Sequence, residues 1–241
     1  MNLSTARANL ASAVLTVQVY GSAPQSHLDP LATKSSQPLG SGTEAGPAQG
    51  AFTAQRFIDD ALQNRFNLAI LERLPALNLP DAWLVAGCLF QTIWNLHDGR
   101  APTAGIKDYD LFYFDDDDLS PAAERAVQQR VHACYLDLGI TIEVKNQARV
   151  HTWYSDWFGF PYSPLRNSRD GIDRFLVPCT SVGLQNGQPG EPPTLYAPYG
   201  LADLYDGILR PNPLSDHRPL FRQKAISYQQ RWDWLRIAET P

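Results

Sequence analysis

The chain has 241 residues, of which 44% are hydrophobic and 19% charged, and a formal net charge of -5. That balance describes an ordinary globular protein with room for one sizeable core, and it argues against disorder and against a broad electrostatic grip on nucleic acid. Cys88, Cys134 and Cys179 show neither CxxC nor metal-ligand spacing, so free thiols in a reducing, cytoplasmic setting are expected.

No apolar run reaches the length of a membrane span. The early stretch "LASAVLTVQVYGSA" has only Arg7 ahead of it and is interrupted by Thr16 and Gln18, which departs from a secretory signal. From Gly21 to Gly50 the chain is rich in Ser, Pro, Gly, Ala and Gln with few large apolar residues. Such a segment buries too little surface to offset its ordering entropy. Residues 1–50 are therefore expected to be a flexible extension and 51–241 the folded domain.

In "TAQRFIDDALQNRFNLAILERL" the apolar residues Phe57, Ile58, Leu62, Phe66 and Ile70 recur at helical intervals, with Thr53 as N-cap. Pro75 and Pro80 bracket a connection, "AWLVAG" reads as a short buried strand ending at Gly87, and "CLFQTIWNLH" as the helix leaving it. After a loop from Gly99 to Gly105, "YDLFYF" reads as a strand. A helix is expected from Pro121, capped by Ser120, to about Leu138 before Gly139. "TIEVKN" is the next strand, and "VHTWYSDWFGFPYSP" reads as irregular. A short helix near "SRDGIDRFL" and a last strand at "SVGLQ" follow, then helices at "PYGLADLYDGILRP" and "LFRQKAISYQQRWDWLRIAE". The pattern predicts an α/β (α+β) fold, a mixed β-sheet flanked by helices with a helical C-terminus.

Chemistry concentrates in "GIKDYDLFYFDDDD". Side chains two apart on a strand share a face, so Asp108 and Asp110 point the same way. Glu143, on a strand able to lie alongside, can bring a third carboxylate to them. Three converging acids repel unless divalent cations lie between them, and oxygen-only ligands favour Mg²⁺ or Mn²⁺, two ions in the usual phosphoryl-transfer arrangement. The bend at Gly87 and Cys88 supplies the other half. Glycine permits close backbone approach, and the amides that open the helix face a phosphate. Lys107 either balances the acid pair or touches a triphosphate. Lys145, Arg149 and His151 are further phosphate candidates, though each residue type is more often a surface charge or a satisfied polar group. Gln91 and Asn95 line a sugar pocket or a polar helix face. The acids Asp115 to Asp118 read as a solvated turn leading into a helix start. The aromatics from Trp153 to Tyr162 read as a packed loop more readily than as a base-stacking platform.

At these residues the sequence resembles the nucleotidyltransferase superfamily that includes DNA polymerase beta. "AGCLFQTIWN", "KDYDLFYFD", "EVKNQARVH" and "APYGLADL" resemble, more narrowly, a bacterial and fungal family of nucleotidyltransferase-like proteins, over roughly residues 57–213. The resemblance implies transfer of a nucleoside monophosphate from an NTP to an acceptor it does not specify. It assigns Asp108 and Asp110 as the metal-binding pair, Glu143 as the third acid, and Gly87 and Cys88 as the phosphate-binding turn. Two features depart from the superfamily pattern: Cys88 stands where serine or glycine is usual, and "DGRAPTAG" lengthens the span from Gly87 to Asp108. A catalytically inactive nucleotide-binding or interaction protein of the same fold is the alternative, and a metal-dependent phosphohydrolase a third reading.

Overall fold

The computed structural model describes residues 52–186, 191–214 and 217–238, with no side-chain description at Trp157 and Phe158. The extension expected at residues 1–50 lies outside the described residues.

The chain enters through helix α1 (Ala54–Leu62), where the Thr53 hydroxyl accepts the Arg56 amide as the expected cap. The single long helix predicted here is two. Asn64 is extended at φ -77, ψ 105, and its side chain caps α2 (Arg65–Arg73) by accepting the Phe66 amide. Both pieces keep the same apolar frame against the core, which is why periodicity alone does not reveal the break. Asn64 is fully buried, and its amide also reaches the Thr92 and Tyr109 hydroxyls.

Strand β1 (Trp83–Val85) runs into helix α3 (Gly87–His97). Strand β2 (Asp108–Tyr113) follows, then helix α4 (Pro121–Tyr135), which Ser120 caps as expected. A 3-10 turn over Leu136–Leu138 ends at Gly139, whose φ of 64 only glycine adopts readily. Strand β3 (Thr141–Asn146) comes next. The stretch read as irregular is a 3-10 turn (Gln147–Thr152) followed by helix α5 (Tyr154–Phe158). Tyr154 and Tyr162 are buried there with ring centroids 4.3 Å apart, so the described aromatics of this stretch serve mainly as packing. Helix α6 (Ser168–Ile172) and strand β4 (Gly183–Gln185) are where the sequence put them.

The last third differs more. β4 is not the final strand: β5 (Thr194–Tyr196) pairs with it. "PYGLADLYDGILRP" is one helical turn, α7 (Ala202–Tyr205), closed by Gly207 at φ 69, and then strand β6 (Ile208–Leu209). Trp234 packs where a Gly207 Cβ would stand, at 2.2 Å, so that glycine is required twice over. The C-terminal helix is present as α8 (Arg218–Gln229) but stops short, and the tail forms β7 (Arg236–Ile237), parallel to β6.

The main sheet is mixed, in the order β3-β2-β1-β4-β5, with β2 and β3 parallel and the other pairs antiparallel. One core joins the sheet to its helices. Within it Phe90, Trp94, Tyr228 and Trp232 form a chain of edge-on aromatic contacts with centroids 4.7 to 5.3 Å apart, locking α8 onto α3. Each such contact contributes about 0.5–1.5 kcal/mol beyond its burial. Trp94 and Trp232 are also tied by hydrogen bonds, to the Leu204 carbonyl and the Asn95 side chain. Among the described residues no helix is long and apolar enough to cross a membrane.

Candidate active site

The parallel register of β2 on β3 sets Asp110 directly beside Glu143, and Asp108 beside Thr141. Strand alternation keeps Asp108 on the face of Asp110, so three carboxylates are directed to one side of this strand pair. Asp110 lies deepest, 7% exposed, and its Oδ2 has no hydrogen-bond partner among the described residues. Burial, then the charges of Asp108 and Glu143, push its pKa well above the usual carboxylate value, while Lys224 and Lys145 pull it back. Glu143 is half-buried on an edge strand. Its pKa is raised by burial and by Asp108, with Lys145 opposing. Asp108 therefore raises the cost of ionising both Asp110 and Glu143, and Glu143 that of Asp110.

Gly87 is close by. A Cβ built there would stand 3.9 Å from Asp110 Oδ2 and 2.9 Å from Gln91 Nε2. The junction is held by the preceding residue in an unusual backbone state: Ala86 has φ 56, ψ -118, a region that disfavours side chains and costs about 1–3 kcal/mol. Its amide is fixed by the Val182 carbonyl of the neighbouring chain segment, and its carbonyl takes the Leu89 and Phe90 amides. No side chain caps α3, so the amides of its first residues face outward with the positive end of the helix dipole.

Cys88 does not present its thiol to this site. It is fully buried, with Sγ 3.5 Å from the Val85 carbonyl. Burial, with Asp110 adding, raises its pKa well above the free-thiol value, so it stays neutral. A serine hydroxyl in its place would face the core, and what this position offers outward is its amide. The Cys88 carbonyl is anchored by the Asn67 amide and by the Thr92 hydroxyl, at 3.1 and 2.6 Å, which stiffens the first turn.

Other candidates separate cleanly. Lys107 is exposed immediately ahead of β2, while the cations acting on Asp110 are Lys224 and Lys145. Gln91 is buried against Gly87 with its Oε1 unpartnered, so it borders the acids and not a distant sugar pocket. Asn95 is structural: its amide serves the Pro102 and Ala104 carbonyls, and its oxygen takes the Trp232 indole. Arg149 is buried against Glu124 and donates to the Leu119 carbonyl, so it is not available to a phosphate. Asp115 and Asp118 accept the Asp117 and Ser120 amides, as befits a turn.

Sequence reasoning missed one contributor, helix α8. Lys224 and Tyr228, one turn apart on α8, and Arg231, just beyond its end, are within electrostatic range of Asp108. Burial lowers the Lys224 pKa, with Asp110 and Asp108 opposing, and burial lowers that of Arg231, with Tyr228 and Asp108 opposing. The three-and-four spacing was visible, but nothing local says that this helix packs onto α3.

The acids do not form a closed cage. Among the described residues no three His, Cys, Asp or Glu side chains are drawn close enough to hold a metal ion by themselves. Mg²⁺ does not need such a cage, since it is ordinarily held by one or two carboxylates together with substrate phosphates. The unpartnered Asp110 Oδ2 and an all-carboxylate donor set suit that kind of ion, and the open helix terminus beside them suits the phosphates that accompany it.

A mixed sheet that sets paired acids next to the bend opening a helix defines the fold class of nucleotide-transferring proteins. Residues 72–237 match the model of a family described as nucleotidyltransferase, and the chain belongs to that family. Comparison with curated proteins gives no match. A protein solved by NMR, described as revealing a CCA-adding enzyme head domain, is 26% identical with a TM-score of 0.63, over 78% of this chain and 97% of its own. The Thermotoga maritima CCA-adding enzyme complexed with tRNA is 15% identical with a TM-score of 0.48, over 77% of this chain but 42% of its own length.

Proposed function

We propose that the protein transfers a nucleoside monophosphate from an NTP to an acceptor, using residues 51–241 as the transferase unit. The register that aligns Asp110 with Glu143, with Asp108 on the same face and Gly87 beside them, carries this reading. Asp108 and Asp110 are the residues to hold two Mg²⁺ or Mn²⁺ ions, and Glu143 completes the set. When bound, such ions offset the triphosphate's charge and acidify an attacking hydroxyl.

The chain's own residues do the rest by position and electrostatics. The Gly87 and Cys88 amides receive phosphate oxygens, which the missing side chain at Gly87 permits. Glu143, with its raised pKa, accepts the acceptor's proton. A bond then forms from the acceptor oxygen to the α-phosphorus as the bridge to the β-phosphate breaks, and the electron pair leaves with pyrophosphate. The first acceptor to try is a tRNA end, because the NMR relative is described as a CCA-adding enzyme head domain.

The test is mass spectrometry of a cell extract, with added tRNA, incubated with the protein, labelled NTP and Mg²⁺ or Mn²⁺. Wild type is expected to label a product and Asp110→Asn to label none. Equal labelling by both removes the mechanism. Tight NTP binding with no product from any acceptor favours the inactive binding protein. Phosphate release without a labelled acceptor favours a hydrolase.

A further inference from the structure

Helix α8 has a second face, which the transfer chemistry leaves unused. One side of the helix is committed to α3, where Tyr228 meets Phe90 and Trp94 at centroid distances of 5.3 and 5.2 Å. Arg218, Arg222, Ile226 and Gln229 follow one another at intervals of four, four and three, which makes them a separate stripe turned away from Lys224 and Tyr228. With Pro211, just beyond β6, and Ile237 of β7, that stripe lines a cavity of about 480 Å³. The volume falls within the roughly 300–1,000 Å³ of sites that hold small organic ligands. Neither the acids nor the Gly87 bend line it.

The lining divides by chemistry. Phe221 and Ile237 give it an apolar wall, and Ile226, 42% exposed, leaves a large aliphatic side chain open to it. Arg218 and Arg222, one turn apart, are exposed, and no acid among the described residues lines the cavity. Neither guanidinium has an ion pair or hydrogen bond among the described residues. Like charges four apart on a helix oppose one another, and an anion between them removes that cost. The surroundings are basic as well: residues 217–232 hold Arg218, Arg222, Lys224 and Arg231 and no acid, in a chain of net charge -5. The Gln229 amide donates to the Leu235 carbonyl at 2.8 Å, which ties the helix to the segment entering β7 and fixes the two walls together.

We propose that this cavity binds a small phosphate monoester with an apolar body, the phosphate held by Arg218 and Arg222 and the body covered by Phe221, Ile226 and Ile237. The charges select the head group. A phosphate monoester carries about -1.5 to -2 at neutral pH, which matches two guanidiniums, whereas a carboxylate leaves one unmatched. Planar guanidiniums also meet phosphate oxygens through paired N–H bonds. The site is separate from the acids and stands whether or not they bind a nucleotide.

Calorimetry on the full chain without divalent metal tests it, with naphthyl phosphate as the probe and inorganic phosphate and naphthol as its two halves. Naphthyl phosphate is expected to bind at least about tenfold more tightly than either half. Arg222→Gln is expected to weaken naphthyl phosphate about tenfold, and Ile226→Ser to weaken it while leaving inorganic phosphate unchanged. Both residues are exposed, so neither change threatens the fold. No binding of naphthyl phosphate, equal affinity for naphthol, or unchanged affinity in Arg222→Gln would each overturn the proposal by showing that the arginines hold no phosphate. Loss of binding in Gly87→Ala, with the arginine and isoleucine variants unaffected, would put the probe at the transfer site and overturn it too.

Discussion

The β2–β3 strand pair carries buried charge at both ends, and the two ends handle it in opposite ways. Toward the C-terminal end, Glu124 accepts the Asn146 amide at 3.0 Å and the Arg149 guanidinium, and Arg149 also donates to the Leu119 carbonyl. Asn146 closes the group by exchanging hydrogen bonds with Asp115 and accepting from Ala148. Toward the N-terminal end, Asp108, Asp110 and Glu143 are directed to one face with no comparable partner among the described residues, and Asp110 keeps a buried oxygen unmatched. Asp110, 7% exposed, lies as deep as Glu124 and Arg149, each 8%, so for these three residues burial is not the difference. What differs is whether the protein completes its own hydrogen bonds. The satisfied end serves as scaffold, and the incomplete end is the one to which the proposed function assigns a ligand from solution.

That contrast can be broken from either side. The largest effect is expected at the satisfied end. Arg149→Met strands the Glu124 charge and should cost about 3–5 kcal/mol in urea denaturation. The folded fraction should still bind metal and NTP with native affinity, and weakened binding would mean that the two ends are not independent. Next comes Gly87→Ala. The added methyl can displace the far end of Gln91, so Tm should move little, but it occupies the phosphate approach beside Asp110. NTP affinity measured by calorimetry should fall about tenfold, the worth of one or two lost charge-assisted contacts. The smallest is Ala86→Gly. It relieves the backbone strain at φ 56 but gives the unfolded chain more freedom, for a net gain of about 1 kcal/mol in urea denaturation. A loss of stability there would mean that the junction is unstrained.

The same contrast shows what was legible in the sequence. Elements set by local signals were readable: Thr53 and Ser120 as caps, Gly139 as a stop, and the strands bearing Asp108, Asp110 and Glu143. Period-two alternation fixes which side chains share a face, so the acids could be grouped before any coordinates. Features decided by distant contacts were not readable. Asn64 breaks its helix because its amide is needed by Thr92 and Tyr109. Gly207 ends another because Trp234 packs against it. By type Asn95 and Arg149 could be either ligand contacts or satisfied polar groups, and only their partners reveal them as structural. Lys224 and Arg231 come within electrostatic range of the acids because an aromatic interlock holds the C-terminal segment on α3, which no spacing announces.

The central claim is that the Asp108–Asp110–Glu143 end is incomplete until a metal and a nucleotide fill it. Thermal melting of wild type and Asp110→Asn, each alone and with Mn²⁺ plus a nonhydrolysable NTP, tests it most directly. Replacing a buried carboxyl whose ionisation is opposed by burial and by its acidic neighbours, without changing shape, should raise the Tm of the bare protein and abolish the ligand-induced rise. An Asp110→Asn protein that melts lower than wild type and still gains stability from the metal and nucleotide would contradict the account.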